Sequence, residues 1–284
     1  MRNIDIGGNV QRDEVAKEFA EALRESGFVI LTNTGIEQDE IERLYANWLR
    51  FFYLSEESKR QFLYETGKVA GFIPRSISET AKGFTKKDLK EIYHYYIGHQ
   101  CPPEQQQNSD EIRQRLLDLS EILLSWLNEY LPEEIKSELD EPLQNMASGS
   151  PETLFRMNYY PPLDTFSEDA KAGAQRADSH ADINLVTLLP NVSSAGLEAK
   201  TREGEWQSVP YVPNSIVVNS GDMLAMRTRD FYPSFYHRVI QADSANEERI
   251  SLAFCVHPKS ECTLSETHTA HSFLQERYKE LKVK

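Results

Sequence analysis

The chain has 284 residues and a formal net charge of −14, with 45 Asp or Glu against 31 Lys or Arg. That balance offers no basic face to a phosphate backbone, which excludes nucleic acid as an expected partner, and no run of about 18 apolar residues is present to cross a bilayer. The polar, acidic start MRNIDIGGNVQRDE lacks the apolar core of a leader, and Cys101, Cys255 and Cys262 are widely spaced without a CxxC pair, so a cytoplasmic protein with reduced thiols is expected.

In chain order, residues 12–26 carry Val15, Phe19, Ala22 and Leu23 at helical spacing, and Gly27 stops this helix before a buried strand in FVILTN. From Asp39 onward, Ile41, Leu44, Tyr45, Trp48, Phe51 and Phe52 form the apolar stripe of a second helix. Residues 109–130 repeat the pattern through Ile112, Leu116, Leu119, Leu123, Trp126, Leu127 and Tyr130, and Pro132 closes it. After about residue 150 the rhythm changes to short β-rich runs separated by turn residues: LFRMNYY, INLVTLL, GLEAK, EWQSVP, SIVVNS, MLAMRT, HRVIQA and RISLAFCV. HSFLQERYKELKVK has the spacing of a terminal helix. No repeat or linker divides the chain, so one domain over 1–284 is expected: a mainly helical part over 1–150, a β core over 151–260 and a helix over 261–284.

The residues that carry chemistry lie in the β half. His180 and Asp182, two apart on an extended strand, point to one face, and His237 opens another predicted strand from which it can reach the same point. Two imidazoles and one carboxylate on one face leave further positions open, which suits Fe(II) that must also bind a cosubstrate and O₂, whereas zinc favours a closed set or a single water. An HxD pair alone is commonly an ordinary surface pair. Downstream, Arg249 and Ser251 also share a strand face and together offer a guanidinium and a hydroxyl to a carboxylate.

From Asn158 to Pro258 the chain resembles the isopenicillin N synthase-like group of Fe(II)/2-oxoglutarate dioxygenases. The matching stretches are NYYPP (158–162), HADINLVTLL (180–189), GLEA (196–199), GEWQSV (204–209), VVNSGDML (217–224), SFYHRV (234–239) and RISLAFCVHP (249–258), in family order. Weaker echoes occur in GFVILTNTGI (27–36), FFYLSEESK (51–59), GFIPR (71–75) and DLKEIY (88–93). The resemblance implies a distorted double-stranded β-helix, or jelly roll, flanked by helices. It implies Fe(II) on His180, Asp182 and His237, and 2-oxoglutarate as cosubstrate with its distal carboxylate on Arg249 and Ser251. Tyr160 matches a position that helps hold that cosubstrate, and Asn158 lies two residues earlier on the same face, toward the metal. The implied reaction hydroxylates or desaturates a small organic substrate with O₂, releasing succinate and CO₂, with ascorbate as a supporting reductant.

Asp182 fills the position that related halogenases leave to a small residue, which disfavours halogenation. The chain departs from the family pattern at Thr34, where a His is usual, and at Ala181, where Thr is common; both bear on the substrate mouth and not on the metal set. Arg156, Arg75, Tyr95, Phe254, Arg227 and Arg229 are further pocket candidates, and His94, His99, His257, His268 and His271 match no ligand position. Two other readings stand beside the dioxygenase: an Fe(II) oxidase of the same fold that dispenses with 2-oxoglutarate, and a jelly-roll binding protein without redox chemistry.

Overall fold

Gly27 closes the first helix in a left-handed conformation, φ 65°, with its N–H bonded to the Leu23 carbonyl, and a Cβ at this position would lie 2.3 Å from the Phe235 ring. Only glycine meets both demands, so the chain turns here directly from helix into a central strand. The computed structural model describes residues 1–8, 11–64, 70–77, 89–162, 165, 177–190, 196–240 and 247–280.

In order these form β1 (Arg2–Asp5), α1 (Arg12–Ser26), β2 (Phe28–Thr32), α2 (Gln38–Phe52), α3 (Glu56–Arg60), β3 (Gly71–Ile73), β4 (Glu91–Tyr95), α4 (Pro103–Glu129), α5 (Glu133–Lys136) and α6 (Leu143–Ala147). The second half continues with β5 (Leu154–Tyr160), β6 (Ala177–His180), β7 (Val186–Pro190), β8 (Leu197–Lys200), β9 (Trp206–Ser208), β10 (Ser215–Ser220), α7 (Asp222–Arg227), β11 (His237–Val239), β12 (Arg249–Val256) and α8 (Ala270–Glu280). Among the described residues, one large sheet runs β1-β2-β10-β7-β12-β5-β4-β3 and a smaller one β6-β11-β8-β9. All pairings are antiparallel except β1 with β2.

Strand alternation divides the core in two. On one face of the large sheet, Val29, Leu31, Leu188, Val218, Leu252 and Phe254 pack with the apolar stripes of α1, α2 and α4. On the other face, Phe28, Ile30 and Val217 meet Ala177, Leu197, Ala199 and Val239 of the small sheet. Trp48 is fully buried in the helical layer, and its indole N–H donates to Ser109 Oγ at 3.0 Å, which meets the polar requirement of a buried tryptophan.

The expected architecture of a β core with flanking helices is observed, with differences in detail. MLAMRT, read as a strand, is the helix α7: Met223, Leu224 and Ala225 are all buried, and so short an apolar run does not distinguish the two periods. Helix α4 begins six residues before the predicted start, because Pro103 opens a polar first turn that carries no apolar stripe. INLVTLL is strand only from Val186; Ile183–Leu185 belong to a loop. The helical first half also contributes β1, β3 and β4 to the large sheet, none of them predicted. Residues 241–242 of HRVIQA and 281–284 of the terminal helix lie outside the described residues.

Candidate active site

His180 and His237 are direct cross-strand partners on β6 and β11, so their rings meet with centroids 4.3 Å apart. Asp182 does not lie on the strand with His180, as the sequence suggested; β6 ends at His180 and Asp182 sits in the following loop. It reaches the same point because the turn into α7 holds that loop. Asp222 N–H donates to the Asp182 carbonyl at 2.7 Å, Gly221 N–H to Leu185 at 2.9 Å, and Met223 N–H to Ile183 at 3.2 Å. A Cβ on Gly221 would lie 2.2 Å from the Asn184 carbonyl oxygen, so the close approach of turn and loop requires glycine.

The three side chains bring one ligand atom each to within 4.8 Å of one another, the only such metal-capable group among the described residues. The two Asp182 oxygens have separate roles. Oδ2 accepts from Thr187 Oγ1 at 2.5 Å and from Asn219 Nδ2 at 2.8 Å. Oδ1 faces the imidazoles, 3.8 Å from His180 Nε2 and 3.7 Å from His237 Nε2. Burial would raise the Asp182 pKa, but His237, His180, Thr187 and Asn219 together lower it to about 2. Burial and the neighbouring His180 lower that of His237 to about 4, against the opposing pull of Asp182 and the Phe235 backbone. At neutral pH the carboxylate is therefore ionised and the buried imidazole neutral, the protonation states in which both donate to a metal ion.

One rung of the large sheet lies under this group. Phe28, Asn219, Thr187 and Cys255 are successive cross-strand partners on β2, β10, β7 and β12, so all four share the face turned to the small sheet. Phe28 packs edge-on against His237 with ring centroids 5.6 Å apart. Farther along β12, Arg249 pairs with Tyr160 and Ser251 with Asn158. The four residues expected to hold a cosubstrate are thus two adjacent cross-strand pairs on that same face.

Arg249 is only 5% exposed, and burial lowers its pKa, meaning that its charge is costly where it stands. Among the described residues no carboxylate pairs with it and its Nε has no hydrogen-bond partner; the Tyr160 ring lies 5.7 Å from the guanidinium. A buried cation without an internal anion is the donor half of an anion site.

Of the further pocket candidates, Arg156 lies on the site face of β5, with its Nε donating to Asn158 Oδ1 at 3.1 Å. Tyr95 and Phe254 both face the helical layer, where each packs on Phe155. Arg75 lies in a short 3₁₀ turn after β3. Arg227 and Arg229 both bond to Glu138, the mostly buried Arg227 through the backbone carbonyl at 2.6 Å and the exposed Arg229 through the carboxylate. Thr187 and Asn219 were not singled out from the sequence. The available signal was a polar residue inside each of two apolar strands, at a position that alternation assigns to the buried face.

Residues 151–258 match the sequence model of the 2OG-Fe(II) oxygenase superfamily, and residues 3–117 that of the non-haem dioxygenase in morphine synthesis N-terminal region. A crystal structure of a putative oxygenase from Shewanella oneidensis is 40% identical, with a TM-score of 0.85 and 99% of each chain covered. A putative 2OG-Fe(II) oxygenase family protein from Caulobacter crescentus is 26% identical, with a TM-score of 0.80 and 98% of each chain covered. The scopoletin 8-hydroxylase of Arabidopsis thaliana is 28% identical over 231 residues, a match covering 81% of this chain but only 62% of the plant protein. The structural neighbours have the double-stranded β-helix fold, and the two facing sheets here are that fold.

Proposed function

Because the chain belongs to the 2OG-Fe(II) oxygenase superfamily, we propose that it oxidises a small organic molecule using Fe(II) held by His180, Asp182 and His237 and 2-oxoglutarate anchored by Arg249. The observation that carries this reading is the buried guanidinium of Arg249, with no carboxylate paired to it among the described residues, on the sheet face that backs a complete two-histidine, one-carboxylate set. Bound iron supplies the coordination sites and redox chemistry by which O₂ and 2-oxoglutarate are converted to succinate, CO₂ and an oxidised substrate.

The chain's own residues prepare that site. Thr187 and Asn219 occupy Asp182 Oδ2, so that Oδ1 is the oxygen that would serve a bound ion. An iron ion held by these three residues would keep coordination positions for cosubstrate and O₂. Arg249 takes the distal carboxylate with Ser251 beside it adding a hydroxyl, Tyr160 lies close to the guanidinium, and Asn158 steadies Arg156. With Asp182 filling the carboxylate position, hydroxylation or desaturation of a C–H bond is the expected outcome and halogenation is not.

We read 1–284 as one catalytic domain, since α2 is wired into the sheet that bears the pocket: Tyr45 Oη donates to the Pro190 carbonyl at 2.7 Å and accepts from Leu252 N–H at 3.2 Å. The three free cysteines fit a reducing, cytoplasmic setting, and among the described residues no helix is long and apolar enough to cross a membrane. Supplying Fe(II), ascorbate and 2-oxoglutarate in air tests the reading through succinate release. Release is expected from the unmodified chain and not from Asp182→Ala. Absence of both succinate and 2-oxoglutarate binding in the unmodified chain overturns it.

A further inference from the structure

Asn184 is buried, follows Asp182 by two residues, and belongs neither to the metal set nor to the residues expected to hold a cosubstrate. Its Nδ2 lies 2.8 Å from Thr187 Oγ1, and Thr187 Oγ1 lies 2.5 Å from Asp182 Oδ2. Three side chains thus form a line that ends on a residue of the metal set.

The direction of that line follows from counting protons. A threonine hydroxyl carries one proton and also accepts, an amide nitrogen only donates, and an ionised carboxylate only accepts. The Asp182 carboxylate is ionised at neutral pH, so the single Thr187 proton belongs on the side of Asp182. The atom that Asn184 turns to Thr187 is then its nitrogen, and the hydroxyl oxygen receives that bond. At the other end of the amide, Oδ1 is buried and has no hydrogen-bond partner among the described residues. An unsatisfied buried acceptor costs more than one neutral hydrogen bond returns, so stability alone does not favour an asparagine here. The surroundings confine the amide: Met223 N–H donates to the Asn184 carbonyl at 3.1 Å, and a Cβ on Gly221 would lie 2.5 Å from Oδ1. A donor aimed at a hydroxyl oxygen keeps that hydroxyl from turning away and polarises it, which strengthens the bond it donates onward.

We propose that Asn184 is a positioning residue of the metal site: by donating to Thr187 Oγ1 it commits the Thr187 proton to Asp182 Oδ2 and so sets the carboxylate through its neighbour. This rests on the dioxygenase reading above. A side chain that merely filled the space over Gly221 would affect Fe(II) binding by a route independent of the Thr187 hydroxyl, and the two roles separate on that point.

Titration of Fe(II) under nitrogen into the full chain tests it, with Asn184→Ala, Thr187→Val and the double variant beside the unmodified protein. Asn184→Ala is expected to weaken Fe(II) binding by about tenfold, the lower end of what partners behind a ligand contribute. In the Thr187→Val background no hydroxyl remains to direct, and the same substitution is expected to change the affinity by less than about twofold, the non-additivity of residues that act through one another. Asn184→Ser, whose side chain is too short to replace the amide, carries the same comparison should Asn184→Ala fail to fold. Unchanged affinity in Asn184→Ala, or equal losses in the two backgrounds, overturns the proposal and leaves the dioxygenase reading in place. Absence of Fe(II) binding by the unmodified chain overturns both.

Discussion

At the scale of single residues, the site depends on keeping the two oxygens of Asp182 apart in function. A carboxylate with both oxygens loose can chelate, swing or take a proton; here Thr187 and Asn219 saturate Oδ2 and aim Oδ1 at the two imidazoles. Partners behind a ligand commonly change metal affinity by about 10–100-fold when removed. Asn219→Ala should therefore weaken Fe(II) binding by about that factor in an anaerobic titration while the fold persists, and an unchanged affinity would show that Thr187 alone sets the carboxylate. His180, Asp182 and His237, which the structure brings together, and Arg249 and Ser251 were singled out in the sequence as ligand-type and ion-pairing residues, four of them in pairs two apart, whose order matches the family, although Asp182 proved to lie in a loop and not on the strand of His180. Thr187 and Asn219 were not, since a hydroxyl or an amide in a strand gains its meaning only from register, and Asn219 faces Thr187 across strands whose pairing no linear pattern discloses.

At the scale of elements, the metal loop is shaped from outside itself. Apart from the Leu185 N–H bond to the Val256 carbonyl, the backbone hydrogen bonds of residues 182–185 come from the N–H groups of the Gly221–Met223 turn. Reading MLAMRT as a strand hid this device, because a helix start, and not a strand, presents successive N–H groups to one loop. The requirement falls on Gly221, whose missing Cβ admits the Asn184 carbonyl. Gly221→Ala should push the loop away, destabilising the protein by about 1–3 kcal/mol in denaturant titration and weakening Fe(II) binding in the same sample. Loss of stability with full metal affinity would mean that the loop keeps its place without the turn.

At the scale of the whole molecule, the helical first half and the β second half were both foreseen, but not that they share a sheet. Strands β1, β3 and β4 are three to five residues long and lie among helices, so each shows less than a full alternation before a turn interrupts it. Their place became visible only through pairing, as with Ile92 opposite Asn158 and Arg2 opposite Val29. Tyr45 shows how tightly the halves are joined: β7 and β12 pair through Leu188 and Phe254, and two residues farther the tyrosine hydroxyl bridges Pro190 and Leu252 in place of a ladder bond. Tyr45→Phe removes both bonds in a buried setting and should cost about 1–3 kcal/mol of stability, seen as a lower melting temperature; an unchanged value would leave the bridge without weight.

The account as a whole rests on a metal set and a buried guanidinium that act on one cosubstrate. Titration of 2-oxoglutarate into the Fe(II)-loaded protein under nitrogen, with the unmodified chain beside Arg249→Met, measures this directly. The account predicts saturable binding that requires Fe(II) and is weakened on the order of 100-fold in the variant, as loss of a charge-assisted pair implies. Absence of binding to the unmodified chain, or binding that Arg249→Met leaves intact, would contradict it.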